Sequence, residues 1–313
     1  MAIPLPRNDE LLAVESLTML MIRQRVTAKI FRLGPQTGYP SPFICFLPTN
    51  KVTAAHMSSF FINVLSGCAV ALYGLKGGYT KVNVKGQPIR IAVDNFRTLQ
   101  RAKTYSMKEP DTLDWLDSFE SGSCFFDLGA NIGQYSLYPA KKYGKDIQVY
   151  SFEPQCANYY LLNKNIYLNK LEKNITSYCV AVSGEEGFSK LYIPKFIGGG
   201  NRSQFGKEDL KNMKKPATHI QGMFGVTLDD LCSKWGFPYP NYIKIDVDGI
   251  EIPIIRGARN VLRSPALRSV IVELGTVEEQ QEAVALMEQA GLKVELKTTR
   301  NWGETCFVFA RQD

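Results

Sequence analysis

Seven consecutive residues, Asp127-Leu-Gly-Ala-Asn-Ile-Gly133, place an acidic side chain ahead of two glycines at the end of an apolar run. Gly129 and Gly133 allow the backbone to turn sharply and to approach a ligand closely. A helix beginning near Gly133 would direct unpaired N–H groups at that ligand. The spacing is not the G-x-G-x-x-G of dinucleotide sites, and an acid in this place can hold a cationic amine. The motif, with Ala130 and Asn131 in its turn, predicts a site for the amino-acid end of a ligand.

A second acid, Glu153, follows 26 residues after Asp127 in the sequence Phe-Glu-Pro154. At the end of the second strand of a doubly wound sheet, an acid accepts hydrogen bonds from ribose hydroxyls. Pro154 suits the first turn of the next helix, where its missing N–H does no harm. Together the two motifs predict a ligand with an amino-acid end and a ribose, which fits S-adenosylmethionine (SAM). The structural alternatives are a helix N-cap at Asp127 and a solvated strand end at Glu153.

With these motifs the chain resembles the FkbM family of SAM-dependent methyltransferases. The matching segments are D-L-G-A-N-I-G (127–133), F-E-P (152–154), T-L-D-D-L (227–231), K-I-D-V-D-G-I-E (244–251) and V-E-L (272–274). The resemblance implies a class I methyltransferase fold, SAM as methyl donor, and a hydroxyl acceptor on a sugar or secondary metabolite. It also implies that Asp127, Gly129, Asn131 and Gly133 line the methionine end, that Glu153 contacts the ribose, and that Ala181 and Val182 lie near the adenine. The chain departs from the family at Asp248, where Glu is usual.

The K-I-D block places Asp246 at the carboxyl end of a predicted strand, beside the point where doubly wound sheets bind ligands. Glu273 ends the neighbouring strand, so the two carboxylates could act as a general base and its orienting partner. They could equally bind Mg²⁺ or another hard cation, although no metal ligand is assigned. In a purely structural interpretation, Asp248 and Glu251 cap the next helix.

His219 is one of only two histidines and lies before the T-L-D-D-L segment. It could deprotonate an alcohol, because its charge changes near neutral pH. The alternative is a solvated loop histidine.

Residues 183–226 are predicted to be a long loop, and the part from 190 to 215 holds seven basic and two acidic side chains around a Gly198-Gly-Gly sequence that can hinge. Long loops inside compact domains are often lids, so this one is predicted to close over the acceptor and to prefer an anionic one. A solvated basic loop is the alternative.

From residue 124 onward, short apolar runs alternate with amphipathic stretches, which predicts an α/β fold with a doubly wound, Rossmann-like sheet. The last two runs are joined by a short loop and must pair antiparallel. The prediction is a seven-stranded, mostly parallel sheet with a C-terminal antiparallel hairpin. The predicted strands are 124–128, 147–153, 175–182, 241–247, 268–274, 292–297 and 304–310, and the predicted helices are 133–143, 155–169, 227–235, 250–262 and 276–290.

Two regions precede the predicted methyltransferase domain, 122–313. Residues 1–80 are predicted to be a mainly helical extension, with a helix over 9–33. The uncharged run 60–75 is shorter than the ~20 residues of a bilayer span. It predicts a buried or partner-facing helix, with membrane contact as the alternative. Residues 81–121 are predicted to hold a hairpin (81–84 with 89–93) and a short helix (112–119).

Composition limits the remaining possibilities. The net charge of +7 is mild, and without a basic stripe or an Asn/Asp-Pro-Pro-aromatic block it argues against nucleic acid as a partner. Seven scattered cysteines without a C-x-x-C pair indicate a reducing, cytoplasmic location and neither a disulfide framework nor a zinc site. Acidic residues among the first twenty argue against a signal peptide. A non-catalytic SAM-binding or scaffold protein and a nucleic-acid methyltransferase stay open as alternatives, and the oligomeric state is not indicated.

Overall fold

The computed structural model describes residues 67, 70, 78–209, 213–300 and 303–312 of the chain. The predicted helix 9–33, nearly all of the run 60–75 and nearly all of the extension 1–80 lie outside these residues. Among the described residues, no helix has the length and apolar character needed to cross a bilayer.

From residue 123 onward strands and helices largely alternate, apart from five consecutive strands between residues 175 and 226 and a final pair of strands. The strands are β1 (Tyr79–Val84), β2 (Gln87–Ala92), β3 (Ser123–Leu128), β4 (Ile147–Phe152), β5 (Ile175–Tyr178), β6 (Ala181–Val182), β7 (Gly187–Ile193), β8 (Gln204–Phe205), β9 (His219–Val226), β10 (Tyr242–Ile245), β11 (Ser269–Leu274), β12 (Leu292–Thr299) and β13 (Thr305–Arg311). The helices are α1 (Phe96–Lys103), α2 (Tyr105–Lys108), α3 (Pro110–Asp117), α4 (Gln134–Tyr143), α5 (Cys156–Asn169), α6 (Leu228–Ser233), α7 (Glu251–Arg256), α8 (Arg259–Arg263) and α9 (Val277–Gln289).

A seven-stranded sheet in the order β12-β13-β11-β10-β3-β4-β5 forms the centre of the fold. Strands β3, β4, β5, β10 and β11 run parallel, and the β12–β13 hairpin joins β11 antiparallel. The predicted fold class is therefore confirmed. The strand order reverses between β3 and β10, and the crevice at the carboxyl ends beside such a reversal is where doubly wound sheets bind ligands.

Apolar clusters cover both faces of this sheet. Because successive strand residues point to opposite faces, Phe125 enters one cluster and Phe126 the other. The first cluster includes Tyr242, whose ring stacks on that of Phe119 with centroids 3.8 Å apart. The predicted helix 250–262 is two short helices, α7 and α8, because the chain turns at Gly257, which lies against the backbone of Gly184.

A smaller sheet in the order β6-β9-β7-β8 corrects the prediction for 183–226. This segment is not one long loop, since β7 and β9 pair antiparallel over seven residue pairs from Gly187↔Gly225 to Ile193↔His219. The predicted strand 175–182 is divided accordingly: β5 belongs to the large sheet, and β6 pairs with β9 in the small one.

The predicted hairpin is confirmed as β1 and β2, with Val82 opposite Ile89. Side-chain amides of α5 connect it to the domain. The Ala92 N–H donates to Asn165 Oδ1 (2.7 Å), and Asn165 Nδ2 donates to the carbonyl of Ile132 (2.8 Å). One buried amide therefore joins the hairpin to the turn that follows β3.

Replacing Asn165 with Ala should lower the free energy of unfolding by about 1–3 kcal/mol, because it leaves two buried backbone groups without partners. Urea denaturation measures this. The control is Asn163→Ala on the exposed side of the same helix, which should change stability by no more than about 0.5 kcal/mol. Equal effects of the two substitutions would contradict the role given to Asn165.

Candidate active site

A cavity of about 210 Å³ opens at the carboxyl ends of β3, β4 and β10, beside the reversal of strand order. Its lining combines backbone from the turn after β3 with polar side chains from several elements. These residues include Arg101, Lys108, Glu109, Gly129, Ala130, Asn131, Gln134, Tyr135, Glu153, Pro154, Asn158, Gly200, Arg202, Lys244, Asp246, Asp248 and Glu273.

The glycine turn is held against the ends of two neighbouring strands. The N–H groups of Gly129 and Ala130 both donate to the carbonyl of Phe152 at the end of β4 (2.9 and 3.0 Å). Gly129 has φ +76°, and a Cβ on it would lie 1.9 Å from the carbonyl oxygen of Asp246. Only glycine permits this approach, which brings the turn and the end of β10 together.

Glu153 lies on the cavity wall and is 5% exposed. Its Oε2 accepts from the Asn131 N–H (2.7 Å), and its Oε1 accepts from the Gln155 N–H (2.9 Å). Burial raises the pKa of Glu153 to about 7, although these hydrogen bonds act in the opposite direction. The carboxylate is thus fixed in orientation and titrates near neutral pH.

Asp127 lies behind the glycine turn with 0% exposure and is not among the described residues that line the cavity. Its Oδ2 accepts from the Ser136 hydroxyl (2.5 Å), and its Oδ1 lies 3.8 Å from Lys244 Nζ. Burial raises the pKa of Asp127. The ammonium group beside Asp127 therefore belongs to the chain itself, whereas the sequence predicted one from a ligand.

Lys244 also contacts Asp246, whose Oδ2 is 2.9 Å from the ammonium nitrogen. Burial lowers the pKa of Lys244, but Asp246 and Asp127 outweigh burial and raise it above its ordinary value. Burial likewise opposes ionisation of Asp246, and the neighbouring Lys244 still brings the pKa of Asp246 below its usual range. Both groups are charged at neutral pH.

Three carboxylates meet on one side of the cavity. One oxygen each from Glu109, Asp246 and Glu273 lies within 4.8 Å of the other two. Such oxygen donors suit a hard cation, but each already faces a cation of the chain. Lys108 Nζ lies 2.6 Å from Glu109, Lys244 lies beside Asp246, and Arg300 Nε lies 3.8 Å from Glu273.

A neighbouring recess of about 110 Å³ shares Asp246 and Glu273 with the cavity. Burial raises the pKa of Asp248 to about 6 and that of Glu251 to about 7. The Asp248 carboxylate accepts from the Arg202 N–H (2.5 Å). The described lining of this recess holds six acidic and two basic side chains, which are Asp246, Asp248, Glu251, Glu273, Glu279, Glu304, Arg202 and Lys214.

The sequence predicted that the Gly198–Gly200 segment can act as a hinge, but side chains of the site hold it in place. Its carbonyl groups accept hydrogen bonds from four side chains: Gly198 from Asn95, Gly199 from Arg101, and Gly200 from both Asn131 and Asn158. A Cβ on Gly198 would lie 2.3 Å from Leu161. This segment is packed as a wall of the site.

The structure brings together most of the predicted site residues. Gly129, Ala130, Asn131, Glu153, Pro154, Asp246 and Glu273 line one cavity. Gly133 lies one turn away, where a Cβ would meet Leu162 at 2.5 Å. Ala181 and Val182 are buried in apolar clusters, and neither is among the described lining residues. His219 is exposed at the start of β9, beside the ring of Phe196 (4.7 Å), and is also absent from that described lining.

Sequence reasoning missed Glu109 and gave Lys244 no role. Glu109 precedes α3 and carries no motif, so only the fold shows its place beside Asp246. For Lys244 a signal existed, because a lysine within an otherwise apolar strand needs a buried counter-charge.

Comparison with known proteins identifies the family of this chain. The methyltransferase FkbM domain matches residues 127–294. The hexuronic acid methyltransferase AglP of Haloferax volcanii is 23% identical over 230 residues, covering 74% of this chain and 88% of that protein. Methyltransferase sdnD of Sordaria araneosa is 27% identical over 195 residues, covering 54% and 73%. The crystal structure of methyltransferase FkbM from Methylobacillus flagellatus aligns over 61% of this chain and 44% of that chain, with 15% identity and a TM-score of 0.45.

Replacing Gly129 with Ala should destabilise the protein more than replacing Gly86, which has φ +87° but open space around it. Both changes place a Cβ in the left-handed region, at about 1–2 kcal/mol. Gly129→Ala adds overpacking against Asp246, about 1–3 kcal/mol more. Urea denaturation of the two variants checks this difference, and equal losses would show that the close approach is not a constraint.

Proposed function

Because the chain belongs to the FkbM methyltransferase family, we propose that it transfers the methyl group of SAM to a hydroxyl oxygen of a sugar or secondary metabolite. The observation that supports this proposal best is the convergence of the Gly129 turn, Glu153 and Asp246 on one cavity. The Gly129 turn and Glu153 suit the methyl donor, and Asp246 suits the hydroxyl group of the acceptor. The methyltransferase activity follows from the family, and the donor and acceptor are the proposed part.

The donor would occupy the side of the cavity formed by the glycine turn and Glu153. Glu153 is oriented by the Asn131 and Gln155 N–H groups, and its remaining lone pairs can accept from a ribose diol. When bound, SAM supplies an activated methyl group on a sulfonium. The chain then has to align the acceptor oxygen and exclude water, which contributes up to about 7–11 kcal/mol in well-oriented reactions.

The acceptor hydroxyl would donate a hydrogen bond to Asp246. In that transfer the acceptor oxygen would bond to the methyl carbon that SAM supplies, and the electron pair of the broken carbon–sulfur bond would stay on sulfur. The hydroxyl proton passes to the Asp246 carboxylate. Lys244 keeps Asp246 ionised at neutral pH, so the carboxylate would be available to accept this proton.

The recess beside Asp246 supports an acceptor rich in hydroxyl donors. Six acidic side chains and two basic ones, Arg202 and Lys214, line the recess. Carboxylates accept hydrogen bonds from hydroxyl groups. AglP acts, by its name, on a hexuronic acid, and the basic 190–215 segment predicts an anionic acceptor. The acidic lining weighs against a negative charge in this recess, so we propose a neutral sugar hydroxyl.

Replacing Asp246 with Asn should lower kcat about 10²–10⁴-fold by removing the proton acceptor. The dissociation constant for SAM should change by less than threefold, or about 0.7 kcal/mol. The assay is S-adenosylhomocysteine formation over a panel of neutral glycans and hydroxylated small molecules, with calorimetry for SAM. Unchanged turnover in the variant would remove Asp246 from the reaction.

SAM binding should release protons between pH 6 and 7, because Glu153 is partly protonated there and the diol favours its ionised form. Affinity should therefore rise with pH by up to about tenfold per unit. Calorimetry in two buffers of different ionisation enthalpy measures the release. The control, Glu153→Gln, should bind about 10–100-fold more weakly, as loss of a charged hydrogen bond predicts. Equal proton release by both proteins would contradict the contact with the ribose.

A further inference from the structure

Lys244 lies at the junction of the two halves of the site. It stands in β10 directly opposite Asp127 in the neighbouring parallel strand β3. Its side chain is 4% exposed, and its ammonium nitrogen lies 3.8 Å from Asp127 Oδ1 and 2.9 Å from Asp246 Oδ2. The ring of Tyr135 lies 5.2 Å from the same nitrogen.

The two carboxylates belong to different parts of the site. Asp127 is two residues before Gly129, on the proposed donor side, and it is buried without another cation among its described ion pairs. Asp246 is on the cavity wall, with its side chain 31% exposed toward the acceptor recess. Removing one partner of a buried charge pair is strongly destabilising, because the other charge is left uncompensated.

Other charged groups surround this pair but do not replace Lys244. Glu109, the residue before α3, adds to the negative charge near Lys244 and Asp127, while the charges of Lys108 and Arg101 also favour the ionised form of Asp246. Tyr105 and Tyr135, from α2 and α4, face the same region. Within the described residues, Lys244 is the one cation within 4 Å of both Asp127 and Asp246.

We propose that Lys244 is a positioning residue, whose ammonium group holds Asp127 under the glycine turn and Asp246 at the acceptor side in one fixed arrangement. The role assigned to Asp246 rests on the proposed function, but the charge clamp itself does not. One buried cation thus sets the geometry of both ligand subsites.

The SAM-binding test separates positioning from simple charge. SAM carries a net positive charge, so removal of a nearby cation would by electrostatics alone tighten its binding. If Lys244 positions the glycine turn, Lys244→Met should instead raise the dissociation constant at least about tenfold, and Lys244→Arg should restore part of the loss. The charge-matched control is Lys234→Met, which removes a cation from an exposed pair with Glu186 outside the described cavity lining and should bind SAM as the wild type does. Tighter binding by Lys244→Met, or equal weakening in both variants, would overturn the proposal.

Urea unfolding between pH 4 and 8 tests the clamp without any ligand. Without Lys244, the folded-state pKa of the buried Asp127 rises further above its unfolded value, so stability falls as pH rises from the unfolded pKa, about 4, toward the folded one. The deficit of Lys244→Met relative to the wild type should therefore be larger at pH 8 than at pH 4. A residue that acted only through packing would give the same deficit at both values.

The double variant Lys244→Met/Asp127→Asn keeps the test decisive if the single variant does not fold. It removes the uncompensated charge together with the cation, so it should have a higher urea midpoint than Lys244→Met at pH 8. A double variant no more stable than the single one, or equally insoluble, would overturn the clamp. If the wild type binds no SAM, the proposed function fails, while the unfolding experiments still decide the role of Lys244.

Discussion

The contact between two backbones, at Gly129 and at Asp246, is the constraint on which the site depends. A side chain as small as a methyl group on Gly129 would overlap the Asp246 carbonyl. Because β3 and β10 are neighbours at the reversal of strand order, their ends diverge into a crevice, and the glycine turn closes its floor. The carbonyl of Phe152 at the end of β4 binds the same turn through two N–H groups. Three strand ends and one loop therefore share a single arrangement, which fixes where Glu153 and Asp246 lie.

Charge balance is the second condition of this site. Three carboxylates gather within 4.8 Å in a region largely removed from water, and such an assembly would repel itself if uncompensated. Lys108, Lys244 and Arg300 each stand against one of the three. Among the described residues, Asp248 and Glu251 form no ion pair within 4 Å, and burial raises the pKa of both toward neutrality. The site thus places Asp246, which Lys244 keeps ionised, beside two carboxylates whose pKa values lie near neutrality.

The sequence predicted those parts of the structure that depend on a local pattern of residues. Apolar runs of strand length between amphipathic stretches were enough to predict the parallel sheet and its hairpin, and the Asp127–Gly133 motif was enough to place the turn. The small sheet escaped because its pairing is non-local: Gly187 meets Gly225, and the glycines and polar residues of these strands resemble a loop when each is read alone. Glu109 escaped for a similar reason, since its proximity to Asp246 depends on how the segment before α3 packs over the sheet. The motif predicted that Asp127 can hold the cationic amine of a ligand, but a sequence pattern does not show that the neighbouring cation is Lys244 of the adjacent strand.

The wall formed by Gly198–Gly200 has a consequence for how members of this fold diverge. Its carbonyl groups accept hydrogen bonds from Asn95, Arg101, Asn131 and Asn158, and Gly200 lines the cavity. A Cβ at Gly198 would collide with Leu161, so a point mutation there would disturb the packing before it offered a ligand new chemistry. Under the proposed function, changes in acceptor preference would then come from side chains of the recess, such as Arg202, Lys214 and Glu304, or from insertions that replace the segment as a whole. The donor half of the site can in this way keep its chemistry while the side chains that line the recess change.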